Sequence, residues 1–245
     1  MKDRFEFCFF HIGSNTDLPD LLAASIRKTN PNALISQLTD SRTPAAAGID
    51  RCIRREGNMA NLMYCRADAY ARHTMDAEVC VFLDTDMLVT EAFDQMDFTT
   101  AHDIYLCRRF FNKNTLVNVD FRNMGMHEYT GKTLEQAWPY LGCMIICKSI
   151  EPMKVVREHM DDLPEKYKSW YGDQIALSRL KGDSRCLVGE ISEYNYANIN
   201  GERYEGRSTR DTATNLIRAL HFKGQRKHSM RPVFERLIRG DTEFK

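Results

Sequence analysis

Val79-Cys80-Val81-Phe82-Leu83-Asp84-Thr85-Asp86-Met87-Leu88-Val89 is the stretch on which the reading of this chain turns. Glu78–Leu83 is a near-continuous apolar run, the pattern of a strand covered by protein on both faces. It ends in two carboxylates with Thr85 between them. Two acids so close repel unless a cation lies between them or one is protonated. Carboxylate oxygens suit a hard divalent ion such as Mn²⁺ or Mg²⁺, which keeps open positions for substrate phosphates. The plainer reading is that Asp84 and Asp86 cap the turn or helix that follows.

Outward from this run, strands and helices alternate. Phe5–Ile12 reads as a strand, followed by a loop at Gly13-Ser14-Asn15-Thr16. Leu18, Leu21, Leu22, Ser25 and Ile26 recur at helical spacing behind a Thr16/Asp17 cap. Ala33–Leu38 reads as a short strand ending in Thr39-Asp40, and Met59, Leu62, Met63 and Tyr70 form a helical stripe over about 57–73. Further strands are predicted at Ile104–Cys107, Cys143–Cys147 and Cys186–Ile191, with helices near 151–161 and 172–180. This alternation predicts an α/β sandwich around a largely parallel sheet, in one domain over 1–245. Ligands bind such sheets beyond the carboxyl ends of the strands, which singles out His11 to Asn15, Asp40 and Asp84 to Asp86.

Composition narrows the class. The chain has 245 residues, 43% hydrophobic and 28% charged, as in globular rather than disordered or fibrous proteins. Its longest apolar runs, Val79–Leu83 and Leu141–Cys147, fall far short of the ~20 residues of a membrane span. The start, Met1-Lys2-Asp3-Arg4, lacks the pattern of a secretory signal, so a soluble cytoplasmic protein is expected. The eight cysteines show no C-x-x-C spacing, and five sit in apolar strand-like runs, which predicts buried free thiols. The formal net charge is zero but unevenly spread: residues 201–245 carry 11 Lys/Arg against 6 Asp/Glu. A basic end on an acidic body predicts contact with an anion.

Two enzyme classes use a strand ending in Asp-x-Asp. Haloacid-dehalogenase-like phosphatases place it near the N-terminus with Thr or Val four residues after the first Asp. Here two α/β units precede it, position 88 is Leu, and the later acid pair could only be Asp161-Asp162. The other class is the GT-A glycosyltransferases, whose acids hold a metal against a nucleotide-sugar diphosphate. Three further segments bear on that choice. Arg66 lies 18 residues before Asp84; Asp173-Gln174 opens a helix after Trp170-Tyr171-Gly172; and His221-Phe222-Lys223-Gly224-Gln225-Arg226-Lys227 combines a metal ligand, a glycine and a phosphate-binding lysine.

With these segments in view, the chain resembles glycosyltransferase family 8, retaining enzymes that include glycogenin and bacterial lipopolysaccharide galactosyltransferases. His221, Gly224 and Lys227 match the first three fixed positions of the family's H-x-x-G-x-x-K-P-W signature. Tyr64-Cys65-Arg66 resembles its Tyr-x-Arg element, Asp173-Gln174 its Asp-Gln pair, and Glu193-Tyr194-Asn195-Tyr196 its short Asn-containing stretch. The departures are His228-Ser229 in place of Pro-Trp, Tyr140-Leu141-Gly142 in place of Asn-Ala-Gly, and His11-Ile12-Gly13-Ser14-Asn15 in place of an acidic uridine-binding run.

The resemblance implies a GT-A nucleotide-diphospho-sugar transferase fold, a single Rossmann-like domain with a mixed, mostly parallel sheet. It implies transfer from a nucleotide-diphosphate sugar, UDP-linked, with retention, to an acceptor the sequence does not identify. Asp84, Asp86 and His221 would hold Mn²⁺ or Mg²⁺. His11, Ile12, Asn15, Asp40, Arg66, Thr85, Gly224 and Lys227 would bind the donor, with Asp173 and Gln174 beside the reacting carbon and the 201–245 segment closing the site. Each residue also has a plainer role: Arg66 could pair with Asp68, Asp173 could be an N-cap, and Trp138 and Trp170 could be core. A nucleic-acid acceptor for the basic end is the alternative from another class, though no DNA-binding motif accompanies it.

Overall fold

The computed structural model describes residues 3–56, 59–93, 98, 101–119, 125–199 and 216–240. Parts of the basic segment, 201–215 and 241–245, lie outside them. In chain order the elements are β1 (Asp3–Phe10), α1 (Asp17–Thr29), β2 (Leu34–Thr39), β3 (Arg51–Arg54), α2 (Leu62–Ala71), β4 (Ala77–Leu83) and β5 (Met87–Val89). They continue with β6 (Ile104–Arg108), α3 (Leu134–Ala137), β7 (Tyr140–Cys147), α4 (Glu151–Asp161), α5 (Glu165–Ser169) and α6 (Gly172–Leu180). β8 (Val188–Ser192), α7 (Glu193–Tyr196), β9 (Ala219–His221) and α8 (Met230–Arg239) complete the chain.

Among the described residues, seven strands form one sheet in the order β3-β2-β1-β4-β7-β6-β8. β7 runs against both its neighbours, while all other pairs are parallel, so the sheet is mixed and mostly parallel as expected. Alternate residues of the central strands enter two cores. Phe7, Phe9, Ile35, Val81 and Leu83 pack with Leu22 and Ile26 of α1 and with β5 and β9. Cys8, Cys80, Phe82, Ile145 and Cys147 pack on the other face with Tyr70 of α2, Val156 of α4 and Leu177 of α6. Burial on both faces is why these strands read as continuous apolar runs rather than alternating ones.

Some local expectations are revised. Thr16 sits at the N-cap of α1, but its own side chain makes no capping hydrogen bond. The Thr16 hydroxyl instead donates to Asp20 Oδ2 at 3.1 Å, and Asn15 Oδ1 accepts the N–H of Asp17 at 2.8 Å. The 57–73 stripe becomes a 3₁₀ turn, Met59–Asn61, leading into α2. β3 and β5 went unpredicted because three or four residues are too few to show a period. None of the eight cysteines is in a disulfide, and six of them are buried. No helix of the described residues is long and apolar enough to cross a membrane.

What positions the site is the departure of the chain from the sheet after β4. Instead of continuing, Asp84-Thr85-Asp86 leads into β5, which pairs antiparallel with β9 so that Met87 faces His221. This ribbon is tied down by buried Ser25 of α1, whose Oγ accepts the Val89 N–H at 3.0 Å and donates to Leu22 O at 2.7 Å. Thr90 adds a bond from its N–H to Arg218 O at 2.9 Å and one from its hydroxyl to Ile217 O at 2.6 Å. Ser25→Ala would strand the buried Val89 N–H. An unsatisfied donor of this kind costs about 1–3 kcal/mol. Urea denaturation should show that loss; an unchanged midpoint would mean that the Ser25 bond does not hold the ribbon.

Candidate active site

Asp84 is fixed at the end of β4 by its own N–H, which donates to Cys143 O of β7 at 2.9 Å. Its carboxylate meets the guanidinium of Arg66, which projects from α2 and also grips Asp173 at the first turn of α6. The three groups form one partly buried chain of charge, Asp84–Arg66–Asp173. Tyr171 directs α6 into it from a left-handed conformation (φ 63°), its ring stacked on fully buried Trp138 at 4.6 Å. Arg66 is thus not paired with Asp68, which takes Arg72 at 3.0 Å and Arg157 at 3.3 Å. Asp173 is not a side-chain N-cap of α6; its Oδ2 faces Arg66, and Oδ1 is buried without a hydrogen-bond partner.

The second acid is reached from the C-terminal part of the chain. Asp86 Oδ1 lies 3.3 Å from His221 Nε2 and its Oδ2 lies 3.0 Å from Lys227 Nζ. Backbone bonds fix that approach: Phe222 N–H donates to Asp86 O at 2.8 Å, and His221 N–H to Asn198 O at 2.7 Å. Gly224, at φ 60°, turns the chain from β9 into the 3₁₀ stretch Gly224–Ser229 that carries Lys227. That left-handed conformation suits glycine.

The two carboxylates are pushed in opposite directions. Burial raises Asp84 despite Arg66, whereas His221 and Lys227 hold Asp86 well below the usual range against its own burial. Burial disfavours charge on His221 too, yet the Cys143 sulfur and Asp86 raise it to about 10. Cys107 and burial push the Cys143 thiol up in turn. Three acids, Asp84, Asp86 and Asp173, thus face three basic groups, Arg66, His221 and Lys227.

A metal ion fits this donor set. The ligand atoms of Asp84, Asp86 and His221 all lie within 4.8 Å of one another. An octahedral ion with ligands at about 2.1 Å sets its donors about 3 to 4.2 Å apart. Two carboxylates and one imidazole would hold Mn²⁺ or Mg²⁺ once His221 gives up its proton.

The remaining predicted residues line the same edge of the sheet. His11 follows β1; its N–H donates to Leu38 O at 3.0 Å, and its half-buried ring, with Nε2 unpartnered, is shifted down by burial. Ile12 and Gly13 follow, the Gly13 N–H bonding Thr43 Oγ1 at 2.9 Å. Asp40, after β2, accepts from the N–H groups of Thr43 and Arg42 at 2.7 and 3.1 Å, which keeps its pKa low. Thr85 sits half-buried between the two acids. Gln174 points elsewhere: its Oε1 accepts from Arg109 at 2.8 Å. Asp161 lies at the end of α4 with Tyr64 on it at 2.7 Å, and no contact among the described residues joins it to Asp84 or Asp86.

Arrangement and fold can now be set beside known structures. The streptococcal glycosyltransferase GlyE (Streptococcus pneumoniae TIGR4) superposes with a TM-score of 0.61 at 15% identity over 96% of this chain, which spans 60% of GlyE. An active-site mutant of LgtC gives 0.60 at 13% identity, with 98% of this chain and 97% of LgtC covered. The galactosyltransferase LgtC in complex with donor and acceptor sugar analogues gives 0.57 at 14% identity. The chain has the GT-A fold. No protein-family model matches it, and no curated protein matches it in sequence.

Several residues that shape this GT-A site escaped the sequence. Arg109 is buried, donates to Trp138 O at 3.0 Å as well as to Gln174, and is shifted down by burial. Glu193 is fully buried; it accepts the N–H groups of Phe110 and Phe111 at 2.8 Å each and pairs with Lys223 at 2.7 Å. Arg109 belongs to no spaced motif, and Glu193 was visible only as the first residue of the Asn-containing stretch. Gly142 was visible only as part of a departure from the family pattern, yet its lack of a side chain is required. A Cβ there would lie 2.1 Å from Asp173 Oδ2 and 2.6 Å from Arg66 NH2. Gly142→Ala should therefore pull apart the Arg66–Asp173 pair, and breaking a buried pair costs about 3–5 kcal/mol. Chemical denaturation reads this directly; wild-type stability would show that Arg66 and Asp173 do not need each other.

Proposed function

We propose that this chain is a metal-dependent glycosyltransferase that moves a sugar from a nucleoside diphosphate, UDP in the first instance, to an acceptor with retention of anomeric configuration. The observation that carries this reading is the convergence of Asp84, Asp86, His221 and Lys227 beyond the end of β4, in a GT-A fold. A leaving nucleoside diphosphate departs with extra negative charge, and a site that joins a set of metal ligands to Lys227 meets that need. When bound, Mn²⁺ or Mg²⁺ held by the two acids and His221 supplies Lewis-acid neutralisation of that charge.

The protein's own groups divide the remaining work. Lys227, half-exposed beside Asp86, offers a preorganised positive charge to the diphosphate, and Gly224 lets the backbone turn close to it. Arg66 acts at one remove: both its amino groups are taken by acids, so it holds Asp84 and Asp173 in place. His11, Ile12, Asn15 and Asp40 lie where a nucleoside would rest, past the ends of β1 and β2. Asp173 would stand beside the reacting carbon on the acceptor side, while Gln174 is turned to Arg109. The 216–240 segment closes the donor side through β9 and Lys227.

Asp86→Asn keeps the shape of the side chain but removes the charge offered to a metal. We expect donor hydrolysis and transfer to fall at least about 100-fold, while far-ultraviolet circular dichroism and the melting curve stay cooperative. Full activity would refute the metal role of Asp86, and loss of the folded state would instead favour a capping role.

A further inference from the structure

Glu6 is the oddest residue of the sheet, a carboxylate with no solvent exposure in the middle of a central strand. It is fully engaged. Its Oε1 accepts from Ser36 Oγ at 2.7 Å, lies 2.8 Å from His73 Nε2 and pairs with Arg51; its Oε2 accepts the Asp76 N–H at 3.1 Å. Beside it the sulfurs of Cys8 and Cys80 and a ring nitrogen of His73 all lie within 4.8 Å of one another, in the interior. With Nε2 committed to Glu6, the nitrogen left over is Nδ1, which is buried and has no hydrogen-bond partner. Nothing in the sugar-transfer reading uses these groups: Glu6 and Cys8 sit on β1, Cys80 on β4, and His73 in the turn between α2 and β4.

We propose that Cys8, His73 and Cys80 form a second metal site, which binds one Zn²⁺. Two thiolates and an imidazole are the donors that Zn²⁺ selects, three protein ligands leaving a fourth position for water. A ligating histidine characteristically gives its other ring nitrogen to a carboxylate that fixes tautomer and orientation; Glu6 does this for His73. Charge balances as well: the two thiol protons leave on binding, together with any proton on His73 Nδ1, and Zn²⁺ with two thiolates and a neutral imidazole is neutral, as an interior site requires. His73 also lines a cleft of about 470 Å³ with Arg72, Thr74, Met75 and Lys148. The site would tie β1 to β4 and to the turn between α2 and β4, behind the strand that presents Asp84.

Cobalt separates this site from the first, because only thiolate ligands give a strong sulfur-to-cobalt charge-transfer band. The reduced, metal-stripped full chain is titrated with Co²⁺, both folded and after refolding with the ion present. We expect the band to saturate at about one equivalent per chain and to vanish on adding Zn²⁺. It should persist in Asp86→Asn and disappear in Cys80→Ser, or in Cys8→Ser if the first variant does not fold. A folded, reduced wild type with no such band overturns the proposal, as does a band unaffected by either cysteine substitution. Because Asp86→Asn addresses the other site alone, failure here leaves the transferase reading standing, and the converse holds.

Discussion

Two carboxylates separated by one residue at the end of a buried strand must be compensated, and most of the site follows from how this is done. Asp84 is met by Arg66 from α2, and Arg66 in turn by Asp173 from α6. Asp86 is met by His221 and Lys227 from the C-terminal part of the chain. The two acids, though neighbours in sequence, are thereby assigned to different partners and titrate in opposite directions. Segments more than 100 residues apart are drawn together by that one electrostatic requirement.

The geometry works because the chain leaves the sheet between the acids. Had β4 run on, residues 84 and 86 would share a face of one strand. Instead β5 joins β9 in a separate ribbon, which sets the backbone of Asp86 against that of Phe222 and brings His221 alongside. Ser25, buried in α1, secures the ribbon from beneath. The glycine at 142 serves the other half, since only a residue without a side chain leaves room for Asp173 and Arg66 over β7.

The central strands and the paired acids were legible in the sequence because burial on both faces and a sudden change to carboxylates leave a strong local signal. α4 and α6 were legible through their apolar spacing, and α6 through Gly172-Asp173 at its start. His221, Gly224 and Lys227 showed as a spaced motif, and the structure carries His221 and Lys227 to Asp86. What escaped depends on tertiary approach. Arg109 and Glu193 act through single contacts with distant segments, β3 and β5 are too short for periodicity, and the role of Arg66 as a bridge needs both acids in place. Cys8 and Cys80 read as small apolar residues within their own strands; only the fold puts them beside His73.

The central claim is that the acids, His221 and a metal together create the site for a nucleoside diphosphate. Calorimetric titration of UDP into wild type and His221→Ala, each with and without Mn²⁺, tests it most directly. The account predicts that Mn²⁺ tightens UDP binding to the wild type at least about tenfold, a coupling of about 1.4 kcal/mol, and that most of this coupling disappears in His221→Ala. An affinity for UDP that Mn²⁺ leaves unchanged in the wild type, or a metal effect equal in the two proteins, would contradict it.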